Sequence, residues 1–128
     1  MKKQMIVMGF ATLMLAGCSD AVYFKGIDDG DTVSGPLTVK MAVCGMDVQK
    51  AGEVVESSGH HHLIIDGDCI EKGETVPKDE NHKHFGKGQT ETVLNLLPGE
   101  HTLTLQFANG IHSSYGREMC KTIHIKVE

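Results

Sequence analysis

Apolar and polar residues alternate with a period of two in three stretches of this chain. Leu37, Val39, Met41 and Val43 alternate with Thr38, Lys40, Ala42 and Cys44. His101, Leu103, Leu105 and Phe107 alternate with Thr102, Thr104, Gln106 and Ala108. Ile123, Ile125 and Val127 alternate with Thr122, His124 and Lys126. Successive side chains on a strand point to opposite faces, so this is the pattern of half-buried β-strands. Shorter apolar runs at 22–24, 62–65 and 90–96 add further strands. Asp28-Asp29-Gly30-Asp31, Asp66-Gly67-Asp68 and Leu97-Pro98-Gly99-Glu100 supply turn chemistry between them. After residue 17 no segment keeps a helical period.

The pattern predicts an all-β domain over residues 22–128. Its strands are A (22–27), B (37–45), C (60–66), D (near 73–76), E (90–97), F (101–108) and G (120–127). About seven short antiparallel strands between Gly, Pro and Asp turns point to an immunoglobulin-like β-sandwich. The Pro98-Gly99 corner leading into strand F resembles the E–F corner of such domains, with His101 where an aromatic is usual.

The N-terminus carries a different pattern. Lys2 and Lys3 precede an apolar run, 5–16, broken only by Thr12. A spanning helix needs roughly 20 apolar residues, so this run reads as a secretory signal. It ends in Leu15-Ala16-Gly17-Cys18, which resembles the bacterial lipobox. That resemblance implies a signal peptide over 1–17, a lipidated Cys18 anchoring the protein to a membrane, and a tether over 18–21. Ser19 after the cysteine implies the outer membrane, facing the periplasm. Without Lys2 and Lys3 the mature chain holds 10 basic and 17 acidic residues, a formal charge of −7. That balance gives nucleic acid no electrostatic footing as a partner. Cys44, Cys69 and Cys120 remain, an odd number. Strand parity sets Cys44 and Cys120 outward on opposite sheets, Cys69 follows the far end of strand C, and no pairing among the three is favoured.

Histidine carries the candidate chemistry. The chain has 8. His60, His61 and His62 open strand C, His82 and His84 lie in the D–E segment, and His112 lies in the F–G loop. In the predicted sandwich these segments meet at one end, with His101 at the other and His124 outward on strand G. A neutral imidazole is the commonest protein metal ligand. Parity turns His61 toward the core mouth with Leu63 and Ile65, and turns His60 and His62 away. His82 and His84 share a face if that segment is extended. The expected centre of a metal site is therefore His61, His82 and His84, with His60, His62 and His112 as alternates, and the expected ion is copper or zinc. Asp79 and Glu80 are the nearest acidic groups that would orient an imidazole.

Gly59-His60-His61-His62, the run from His82 through Phe85-Gly86-Lys87-Gly88-Gln89-Thr90-Glu91-Thr92, Pro98-Gly99-Glu100-His101-Thr102-Leu103 and Ser114-Tyr115-Gly116 together resemble a bacterial exported domain family of unknown function. Some of its members are labelled rod-shape-determining proteins. The resemblance spans about residues 22–127 and implies an exported single domain. It brings no activity or ligand.

Gly86-Lys87-Gly88-Gln89-Thr90 lacks the spacing of a phosphate loop and leads into a strand. Ser113 and Ser114 have no nucleophile elbow around them. Three readings remain open. One is a non-catalytic periplasm-facing module that binds a metal. Another is an envelope interaction domain whose histidines form a polar network. The third is a copper–zinc enzyme of superoxide-dismutase type.

Overall fold

A computed structural model describes residues 18–128, and the signal peptide expected over 1–17 lies outside the described residues. Nine strands form two sheets: β1 (Ala21–Lys25), β2 (Thr32–Val33), β3 (Leu37–Cys44), β4 (Asp47–Val48), β5 (Ser58–Ile65), β6 (His82–His84), β7 (Glu91–Leu94), β8 (Gly99–Ala108) and β9 (Cys120–Val127). The first sheet has the order β1-β3-β7. The second has the order β2-β9-β8-β5-β4, with β6 also paired to β5. The fold is all-β, and the two sheets pack as a sandwich.

The period-two stretches explain the core between the sheets. Val22, Val39, Met41 and Leu94 face inward from the first sheet. Leu63, Ile65, Leu103, Leu105, Phe107, Ile123, Ile125 and Val127 meet them from the second. A buried side chain of this kind contributes roughly 1.5–3 kcal/mol relative to its exposed state, so these alternating positions set which face of each strand turns inward.

The outer face of the second sheet is also covered. His60, His62, Ile64, Thr104 and Gln106 occupy the outward positions of β5 and β8, yet all are buried. The cover is the chain from Gly67 to Lys78 together with the loop 109–116 that joins β8 to the last strand. Thr104 Oγ1 donates to the Gly67 carbonyl at 3.1 Å. The backbone of Gly73 donates to Ser114, Ser114 to Glu74, and Val76 to His112, at 2.8–2.9 Å. Gln106 braces both parts of the cover: its Oε1 accepts from the Ile70 amide at 2.9 Å, and its Nε2 donates to the carbonyl of Gly116 at 3.0 Å.

This cover corrects two expectations. No strand forms at 73–76, where Thr75 makes only an isolated bridge to Ser113; the added strands are the short β2 and β4 and, at His82–His84, β6. The cysteines also pair. Because the chain turns back over the outer face after β5, Cys69 reaches the start of β9 and joins Cys120, with Cα atoms 6.0 Å apart. A bridge of this kind contributes roughly 2–4 kcal/mol, mostly by restricting the unfolded chain. Cys18 is joined to Cys44, with Cα atoms 5.4 Å apart.

Candidate metal centre

Strand β5 divides its three histidines between two interiors. His61 points inward, directly across from Phe107 on β8. Its ring meets that of Phe107 edge to face with centroids 5.1 Å apart. Neither of its nitrogens has a hydrogen-bond partner, and burial pushes its pKa down to about 4. His60 and His62 point outward, under the cover.

There they meet two other histidines. Register places His84 of β6 directly opposite His62. His112 comes from the 109–116 loop and has φ of 66°. A non-glycine residue holds that left-handed conformation only when its surroundings enforce it. Here Asn109 does so: its Oδ1 accepts from the Ile111 and Ser113 amides at 3.1 and 3.0 Å, and its carbonyl accepts from the His112 amide at 2.9 Å. The four imidazoles of His60, His62, His84 and His112 each offer one nitrogen, and these four lie within 4.8 Å of one another. All six pairs of ring centroids fall between 4.5 and 5.8 Å.

Two glycines admit this packing. A Cβ on Gly59 would overlap the Ala108 carbonyl oxygen, so only glycine lets β5 lie this close to β8. A Cβ on Gly86 would overlap the ring of His84.

Electrostatically the cluster is wholly cationic or neutral. Burial, then the neighbouring histidines, push the pKa of His60 down to about 4 and of His62 to about 3. Burial first, then His112 and Lys78, lowers that of His84. No carboxylate acts on any of these three among the described residues. The imidazoles of His60, His62 and His84 are therefore held in the neutral form at pH 7, the state in which an imidazole ligates metal.

The hydrogen-bonding is unsatisfied in a telling way. His60 Nε2 lies 3.0 Å from both His62 Nε2 and His112 Nδ1. A ring nitrogen carries either one proton or one lone pair in the neutral tautomers. It can complete one of those contacts but not both. His60 Nδ1, His62 Nδ1 and His84 Nε2 are buried without any partner. Each such group costs about 1–3 kcal/mol. An ion at the centre would use the convergent lone pairs. Four nitrogens bound tetrahedrally to one ion at about 2.0–2.1 Å lie about 3.4 Å apart, so pairs now within 4.8 Å close by at most about 1.4 Å.

The remaining histidines lie elsewhere. His82 sits opposite Ile64, one strand repeat along β6 from His84, and its Nδ1 pairs with Asp79 at 2.7 Å. His101 Nδ1 lies 2.9 Å from an Asp66 carboxylate oxygen, and its Nε2 lies 2.7 Å from the Leu97 carbonyl. Both neighbours are acceptors, so the ring donates twice; the bond to Asp66, then that to Leu97, raises its pKa. His124 pairs with Asp29 at 3.1 Å. Of the three residues expected at the centre of a site, the structure brings only His84 into the cluster, beside the alternates His60, His62 and His112. His61 faces the hydrocarbon core, and His82 is held by Asp79. Asp79 thus orients a histidine outside the cluster.

A family model described as a domain of unknown function, DUF4399, matches residues 39–128. No curated protein and no solved structure matches the chain.

Proposed function

The chain belongs to the DUF4399 family, a domain of unknown function, and from that premise we propose that it is a non-catalytic module that binds copper or zinc through His60, His62, His84 and His112. One observation carries the reading. Four imidazoles from three separate segments bring one nitrogen each within 4.8 Å of one another, and His60 Nε2 cannot complete both of its 3.0 Å contacts there. Imidazole suits both ions, and the general affinity order puts copper above zinc. Elemental analysis of purified, tag-free protein exposed to either ion should find one per chain. Protein that retains neither ion sinks the reading.

A second reading has its own observation. The two 3.0 Å contacts at His60 Nε2 also describe a metal-free polar network that pins the cover to the sheet. The domain would then serve as an envelope interaction module. We also read the sandwich as immunoglobulin-like, because strands A, B and E form one sheet and G, F and C lie side by side in the other.

We place the module in the cell envelope, on a lipid anchor at Cys18 facing the periplasm. The support is the basic start, the apolar run and Leu15-Ala16-Gly17-Cys18. Thioether formation at Cys18 and the Cys18–Cys44 bond exclude each other, because each consumes the one Sγ of Cys18. The anchored form therefore carries Cys44 as a free thiol. Mass spectrometry of protein from membranes should show acyl chains on Cys18 and thiol labelling at Cys44 alone. An unacylated chain, or a mature chain starting elsewhere, removes the anchor.

A further inference from the structure

We propose that the four-histidine centre has a place for one small exogenous anion, in the cavity that three of its rings and Lys78 line. The inference rests on the reading of the cluster as a metal site and specifies how that site is completed.

A cavity of about 150 Å³ opens against the cluster. His62, His84 and His112 line it together with Thr75 and Lys78. Val76 and Pro77 complete the lining. His60 does not line it and lies behind the others, fully buried. The cluster is thus closed at His60 and reached from the cavity that Lys78 also lines. A structural site surrounds its ion with protein ligands, whereas an open position admits a solvent-derived or exogenous ligand.

Charge says what kind of ligand. Imidazole ligands carry no charge when they bind a metal and leave the full charge of a divalent ion uncompensated in a buried place, which is costly unless it is paired. Among the described residues no carboxylate acts on His60, His62 or His84, and Lys78, which lines the cavity, is cationic. An ion at the cluster and the ammonium of Lys78, both bordering one small cavity, together favour an anion in it. At about 30 Å³ per water, the cavity holds only a few water-sized groups, so the anion is of few atoms. The side chains of Val76 and Pro77 in the lining offer no hydrogen bonds to a larger polyanion.

Azide is a suitable probe, because it is small, monovalent and gives a charge-transfer absorption when it ligates Cu(II). Full-length protein loaded with one Cu(II) should show a saturable azide band with one site per copper. Lys78→Ala should still load copper but bind azide about ten-fold more weakly, and Lys78→Arg should restore most of the affinity. Copper-loaded protein whose spectrum azide leaves unchanged overturns the anion position while the metal reading stands. Equal azide affinity in wild type and Lys78→Ala also overturns it. Failure to load copper or zinc at all is the distinct result that removes the metal reading and the anion position with it.

Discussion

Copper or zinc should raise the unfolding temperature of the wild-type protein steeply and leave His84→Ala/His112→Ala unmoved. A ligand that binds only the folded state stabilises it by RT ln(1 + [L]/Kd), about 4 kcal/mol at a thousandfold excess over Kd. For a domain of this size each kcal/mol moves the midpoint by about 4–8 °C, so the shift should exceed roughly 15 °C. His84 and His112 are the right pair to change, because both are only half-buried. His60 and His62 are fully buried, and their removal would also leave cavities. His82→Ala is the matched control. It removes an imidazole from the same strand, but one paired with Asp79 rather than aimed at the cluster. Differential scanning calorimetry across a metal titration reads all three. Loss of the shift in His82→Ala, or its survival in the double variant, assigns the ion to other residues.

Without metal, the protein should lose its fold in mild acid. The folded state holds His60, His61 and His62 neutral, with pKa values of about 4, about 4 and about 3. The unfolded chain protonates each of them below about 6.5. Stability is therefore whole above that value and falls as the pH drops through 6 toward 4. Each histidine contributes about 1.4 kcal/mol per pH unit, and three together about 4 kcal/mol per unit. Two units of acidification thus remove about 8 kcal/mol, well over half of a typical total near the middle of the 5–15 kcal/mol range. His101 works in the opposite sense: its raised pKa adds stability that is present below about 6.5 and is lost as pH rises. One such group does not offset three. Circular dichroism of metal-free protein should show the loss between pH 6 and 4. His61→Leu, which leaves the four-histidine cluster intact, should move the midpoint toward acid, since leucine takes up no proton. A fold equally stable at pH 7 and pH 5 would contradict the burial of all three rings.

The facing of β5 was legible in the sequence, because alternation about Leu63 and Ile65 separates His61 from His60 and His62 without any knowledge of the partners. The same alternation marked β3, β8 and β9. The cover was not legible. Residues 66–81 have no period, so nothing in them says that they fold back over β5 and β8. Without a cover, His60 and His62 count as outward and wet, which is why a site on the core side of His61 looked the better prospect. Register was the other hidden quantity. His82 and His84 are equivalent by spacing, and only the pairing of His84 with His62 rather than Ile64 separates them. The Cys69–Cys120 bond was concealed by the same fold-back, since pairing by strand parity assumes that the chain continues away from the sheet.

Because β5 sends alternate side chains into two closed spaces, one strand serves two masters that exchange little. The hydrocarbon space between the sheets tolerates only residues of matching volume. The imidazole space outside it is defined by polar groups and a loop. Substitutions separated by a strand and sharing no partners act nearly independently. Positions 84 and 112, only half-buried, are therefore where the imidazole space can change with least disturbance to the sandwich, whereas positions 60 and 62 are fully buried in it.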